Sequence, residues 1–136
     1  MRVLAIDHGT VRMGIAISDE LKMIAQPLEF ISAEPFSSFL EKLESLLKEY
    51  EVELVLLGMP RNMDGSYGDA AIKVREFEAV LKKSIAVPIK TFDERLTTVQ
   101  ANRVLTQGRV KKNNKRQNVD AISAAILLQG YLDSLV

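Results

Sequence analysis

Three places along the 136-residue chain put carboxylates where chemistry could use them: Asp7, the adjacent pair Asp93 and Glu94, and Asp120. Asp7 follows the run Val3-Leu4-Ala5-Ile6, whose unbroken apolar character predicts a strand covered on both faces. An ionised acid at the carboxyl end of such a strand is unfavourable by several kcal/mol unless a partner or a metal answers it, and ligand sites in α/β sheets open at that end of the strands. The plainer use of Asp7 is to cap the turn into Gly9-Thr10. None of these acids is followed by a histidine at ligand spacing, and the chain contains no cysteine. The donor set is therefore hard oxygen, which favours magnesium or manganese over zinc. Two such ions can clamp the attacking and leaving oxygens of a phosphodiester, so phosphodiester hydrolysis is the reaction class that follows.

Each acid also has a structural explanation. Asp120 is expected in the first turn of a helix, where the dipole alone rewards a negative charge by about 0.3 to 1 kcal/mol. Glu94 could simply pair with Arg95 or a nearby lysine. His8 is the single histidine; as successive strand residues face opposite ways, it is expected to point away from Asp7 and to neighbour the substrate rather than take part. The methionines at 13, 23, 59 and 63 are expected to be gap-fillers or loop residues.

The elements that must position these acids follow from periodicity. Val3 to Ile6 and Ile15 to Ile17, joined by a turn rich in Gly, Thr and charge, predict a β-hairpin. Pro27 to Ile31 alternates as a half-exposed third strand would. Ser38 to Glu41 offers a capping box for a helix with Phe39, Leu40, Leu43, Leu46, Leu47 and Tyr50 on one stripe. Leu54 to Leu57 is a second continuous apolar run, matching a buried parallel strand reached by a helical crossover. A polar loop over 61–68 leads to a helix that Asp69 can cap, with Ala70, Val74, Phe77 and Leu81 on one face. Val87 to Phe92 predicts the fifth strand, Thr97 and Gln100 a capping box for a short helix ending near Gly108, and Val119 onward a last, alanine-rich helix packed closely on the sheet. The expected fold is α/β: a mixed five-stranded sheet, made of a three-stranded antiparallel meander plus two parallel strands, flanked by helices.

Length and composition predict one domain over 1–136, with no repeat or linker. The absence of cysteine suits a reducing compartment. No signal-peptide pattern opens the chain and no apolar run approaches the roughly 20 residues of a membrane helix, so a cytoplasmic protein without a membrane partner is expected. The 18 Lys and Arg balance the 18 Asp and Glu, which argues against a general affinity for polyanions. Distribution matters more: Arg109, Lys111, Lys112, Lys115 and Arg116 lie together without an acid, leaving 13 basic against 18 acidic residues elsewhere. One basic segment on an acidic body is a localised anion contact or an ordinary solvated loop.

Along nearly its whole length the sequence resembles the YqgF family, ribonuclease-H-like proteins related to the Holliday-junction resolvase RuvC. The resemblance is carried at the start by Asp7, Gly9, Arg12, Gly14, Ala16, Ser18 and Asp19, and in the middle by Gly58, Pro60, Asn62 and Gly65. It is most specific in Asp93-Glu94-Arg95-Leu96-Thr97-Thr98, and ends with Lys115, Val119, Asp120, Ala124, Ala125 and Leu128. It implies a ribonuclease-H fold, a nuclease site using Mg2+ or Mn2+, and a bacterial cytoplasmic role. Family members are described as Holliday-junction resolvases and as nucleases maturing the 5′ end of the small-subunit ribosomal RNA precursor. By resemblance the catalytic, metal-binding acids are Asp7, Glu94 and Asp120, with Asp93 the alternative to Glu94. Two departures stand out against the wider superfamily: the fourth strand ends in Gly58-Met59-Pro60 without an acid, and Ser123 stands where RuvC-like enzymes tend to have one. Three acids leave room for a substrate phosphate to complete the site.

The expected function is a structure-selective endonuclease acting on folded RNA, most simply in 5′-end processing of pre-16S rRNA within pre-ribosomal particles. Lys111, Lys112, Lys115 and Arg116 would hold phosphates, and Gly9, Thr10, Arg12, Arg61, Asn62, Arg95 and Thr97 would line the approach. Resolution of branched DNA, which usually demands a symmetric dimer, is the rival within the class. A nucleotide-binding domain, suggested by the Asp7-His8-Gly9-Thr10 turn with Gly14, and an RNA-binding assembly factor without activity are the rivals outside it.

Overall fold

The computed structural model describes residues 1–9, 11–60, 68–93 and 115–135, with side chains in the last stretch described from Ala121 onward. Five strands, β1 (Arg2–Asp7), β2 (Arg12–Ser18), β3 (Ala25–Ser32), β4 (Val52–Met59) and β5 (Ile89–Asp93), form one sheet in the order β3-β2-β1-β4-β5. β1 pairs antiparallel with β2, β2 antiparallel with β3, and β1 with β4 and β4 with β5 in parallel. The meander plus two parallel crossover strands is the expected mixed sheet. The short helix expected between Thr97 and Gly108 lies outside the described residues.

Strand alternation sorts the core into two layers. Leu4, Ile6, Ile15, Val55 and Leu57 face α1 (Phe36–Glu49) and α2 (Asp69–Ser84), meeting Phe39, Leu43, Val74 and Leu81. Val3, Ala5, Ala16 and Leu56 face the other way, onto Ala124, Ala125, Leu128 and Tyr131 of α3 (Lys115–Ser134). Alanine on both sides of this second interface lets helix and sheet approach closely, as the alanine-rich sequence implied. Met13 and Met59 fill gaps in the first layer, whereas Met23 is exposed.

Three helix starts differ from the expected ones. α1 begins at Phe36 behind Pro35, so Ser38 sits inside the first turn with its N–H donated to the Pro35 carbonyl, and no side chain caps the helix. α2 takes Gly68 as its N-cap, and Asp69 is its first helical residue. α3 begins at Lys115, which puts Asp120 in its second turn and leaves its first turn without an acid. The edge strand β3 is longer than expected and accommodates Pro27 opposite Ala16, where the register with β2 shifts.

Among the described residues, no helix is long and apolar enough to cross a membrane.

Candidate active site

β1 lies at the centre of the sheet and ends at Asp7, with β2 on one side and β4 on the other. Asp7 pairs with Gly14 across the antiparallel ladder, and one step beyond Ile6↔Leu57 its neighbour on β4 is Gly58. The row continues outward to Phe30, which pairs with Gly14, and to Phe92, which pairs with Gly58. A half-buried carboxylate thus stands in a glycine trough walled by two phenylalanines. By alternation with Val3 and Ala5, Asp7 belongs to the face that α3 covers.

The chain reverses immediately after Asp7, and Gly9 makes that possible. A Cβ at Gly9 would collide with the carbonyl oxygen of Arg12. The reversal is completed where the Ala33 N–H bonds to the Val11 carbonyl at 2.8 Å, bringing the end of β3 alongside. Arg12 emerges exposed from this turn with its guanidinium 5.4 Å from the Phe30 ring centre.

His8 belongs to the opposite face, in step with Leu4 and Ile6, as alternation predicts. Its ring lies 5.0 Å from that of Phe77 on α2. Burial, and then the charge of Lys73, lower its pKa from 6.5, so it is neutral near pH 7. A cleft of about 280 Å³ runs along this edge, lined by Asp7, His8, Gly58, Pro60, Asp69, Ala70, Lys73 and Val74. Lys73 was not singled out from sequence, because a lysine on the polar side of an amphipathic helix carries no signal of its own.

α3 brings the last acid toward the same edge. Gln129 clamps the later half of the helix to the opposite end of the sheet: its Nε2 donates to the Met23 carbonyl at 3.0 Å and its Oε1 accepts from the Ala25 N–H at 2.9 Å. Ala25 pairs with Ser18, near where β1 begins. Followed back to its start, α3 therefore runs toward the edge where β1 ends, carrying the backbone of Lys115, Arg116 and Asp120 with it. Asp120 is past the first turn, within which the helix dipole acts, so the dipole does not account for it.

Parity places Asp93, the last residue of β5. Phe92 packs toward α3 and Ile89 toward α1 and α2, so Asp93 falls in step with Ile89, on the face opposite Asp7. Glu94 lies outside the described residues, as do Thr10, Arg61, Asn62, Arg95, Thr97, Lys111 and Lys112. Among the described residues, no three His, Cys, Asp or Glu side chains group closely enough to hold a metal ion. The described part contributes the Asp7 carboxylate, with Asp69 and His8 lining the same cleft and no thiolate in the chain, and an oxygen donor of this kind fits a hard divalent cation.

Two residues of the sequence pattern prove structural. Ser18 is 2% exposed; its Oγ accepts from the Val3 N–H at 2.9 Å and donates to the Asp19 carbonyl at 3.0 Å. Asp19 Oδ1 accepts from the Met23 and Ile24 N–H groups at 2.7 and 3.0 Å, and the Ile24 bond is the main reason its pKa is lowered.

A central strand bearing an aspartate, a three-stranded meander and parallel crossover strands define the ribonuclease-H-like class. Solved structures agree. T. thermophilus RuvC in complex with Holliday junction substrate superimposes with a TM-score of 0.57 at 16% identity, covering 99% of this chain and 96% of that one. The Fowlpox virus resolvase in complex with Holliday junction DNA gives a TM-score of 0.59 at 14% identity, covering 100% and 99%. Within that class the assignment is specific: the model of the RuvX family, described as Holliday junction resolvase, matches residues 1–134, and the chain belongs to that family. Relatives named "Putative pre-16S rRNA nuclease" include one from Halothermothrix orenii, 45% identical over 98% of this chain and 95% of its own length. Another, from Acetivibrio thermocellus, is 46% identical over 98% of this chain and 96% of its own length. The chain is a member of a nuclease family.

Proposed function

We propose that this chain is a divalent-cation-dependent endonuclease that cuts structured RNA, in the 5′-end processing of pre-16S rRNA. The observation that carries the reading is Asp7, a half-buried carboxylate at the end of the central strand, flanked by glycines on the face toward which α3 brings Asp120. Full-length relatives bearing the pre-16S rRNA nuclease name support the substrate. Asp7, Glu94 and Asp120 would hold the cation, Mg2+ or Mn2+, and the parity of Asp93 favours Glu94 as the third acid. The cation supplies Lewis acidity and a hydroxide near neutral pH. The cleft that Asp7 shares with Gly58 and Lys73 would give a phosphate room beside the acid, and His8, neutral and packed at a tilt against Phe77, orders the opposite lip of the edge. Lys115 and Arg116 begin α3, where the dipole disfavours cations, so phosphate binding explains their charge better than helix stability does.

Branched DNA is the second reading, favoured by the family's resolvase description and by the fold shared with RuvC. Both are tested in one experiment: cleavage of a pre-16S transcript and of a four-way DNA junction, at the same salt concentration, by the wild type and by Asp7→Asn. The proposal expects the transcript to be cut preferentially, and neither substrate to be cut by the variant although it melts like the wild type. Preferential junction cutting would transfer the function to DNA, and cutting by folded Asp7→Asn would remove the site.

A further inference from the structure

Phe30 has no part in the sequence pattern that marks the site, yet it closes one end of the row that holds Asp7. It stands opposite Gly14, and Gly14 stands opposite Asp7, so Phe30 lies two strand spacings, about 10 Å, from the acid. No side chain intervenes in that row, because the residue between them is glycine. The Phe30 ring is half-buried, and the Arg12 guanidinium lies over it with Cζ 5.4 Å from the ring centre. Arg12 is exposed. A guanidinium plane supported on an aromatic ring is weakly hydrated on its outer face, and such a plane stacks against nucleobases. Among the described residues Phe30 belongs to neither buried layer, whereas its neighbour Ile31 packs into the first.

We infer that Arg12 and Phe30 form a stacking platform for an unpaired nucleobase of the RNA, seated next to the nucleotide whose phosphate enters the glycine trough at Asp7. This rests on the nuclease reading and deepens it: the substrate must offer an unpaired nucleotide beside the cut. Phe30 acts as a positioning residue, holding the guanidinium parallel to the base, while the charge of Arg12 is shared with the neighbouring phosphate. Recognition through a π-face is tolerant of sequence, in keeping with selection by shape.

The test uses the full chain in the Asp7→Asn background and a single-stranded RNA decamer carrying 2-aminopurine, with binding and base quenching read by fluorescence. The platform predicts that Phe30→Leu, which keeps apolar bulk, weakens binding about tenfold and abolishes the quenching. Arg12→Lys, which keeps the charge but not the plane, should do the same, and Phe30→Tyr should restore both signals. An abasic decamer should bind the parent and Phe30→Leu equally. Equal quenching in parent and Phe30→Leu, or no binding by the folded parent, overturns the platform. Cleavage of the pre-16S transcript by proteins carrying Asp7 is scored separately: its failure removes the nuclease reading, whereas normal cleavage with an unaffected decamer removes only the platform.

Discussion

The two ends of the central sheet use polar residues in opposite ways. Where β1 begins, Ser18, Asp19 and Gln129 hold backbone: Ser18 bonds to Val3 and Asp19, Asp19 to Met23 and Ile24, and Gln129 to Met23 and Ala25, with a further bond from Gln129 to the Asp133 carboxylate. Where β1 ends, Asp7 sits between two glycines and borders a cleft, with an exposed arginine on one side and a lysine on the other. The first end shows how this chain satisfies a polar group that serves the fold. The second sets a carboxylate at a cleft with cationic side chains nearby, the arrangement that the proposed phosphate-binding, cation-holding site would need.

Mutations should separate the ends. Asp7→Asn is expected to remove cation-dependent cleavage altogether while leaving the melting temperature close to that of the wild type, as read by an RNA cleavage assay beside thermal unfolding. Gly9→Ala should destabilise by about 2 to 3 kcal/mol, because the added methyl meets the Arg12 carbonyl and the turn must distort; urea unfolding measures it. Ser18→Ala should cost about 1 to 3 kcal/mol by leaving the buried Val3 N–H unanswered, with cleavage per folded molecule unchanged. Asp19→Ala, at an exposed turn, should cost about 1 kcal/mol in the same measurement. The smallest effect is a pH dependence. The folded pKa of His8 lies below 6.5, so the unfolded chain binds its proton first, and the stability associated with neutral His8, fully present above pH 6.5, declines as pH falls below it. Unfolding of His8→Phe between pH 7.5 and 5 should lack that component.

The same contrast explains what the sequence disclosed. Val3 to Ile6 and Leu54 to Leu57 declared two-sided burial by their unbroken apolar runs, and they are the paired parallel strands at the sheet centre. Helix starts were less legible because several residues compete to begin a helix: Pro35 and Gly68 precede the serine and aspartate that looked like caps, and Lys115 opens α3 well before the apolar pattern starts. At the site, Asp7 was marked by its place after an apolar run. The roles of Gly14 and Gly58 as its flanks, and of Phe30 under Arg12, depend on pairing register between distant strands, which no local pattern encodes. Ser18 and Asp19 carried the family resemblance and turned out to hold backbone.

The central claim is that the carboxyl edge of β1 is a cation-dependent cutting centre. Its most direct test is a Mg2+ and Mn2+ titration of pre-16S transcript cleavage by the wild type, Asp7→Asn and Asp120→Asn, each verified as folded. The account predicts saturable, cation-dependent cleavage by the wild type and none by either variant at any concentration. Cleavage by the wild type without a divalent ion, or wild-type rates in folded Asp7→Asn, would contradict it.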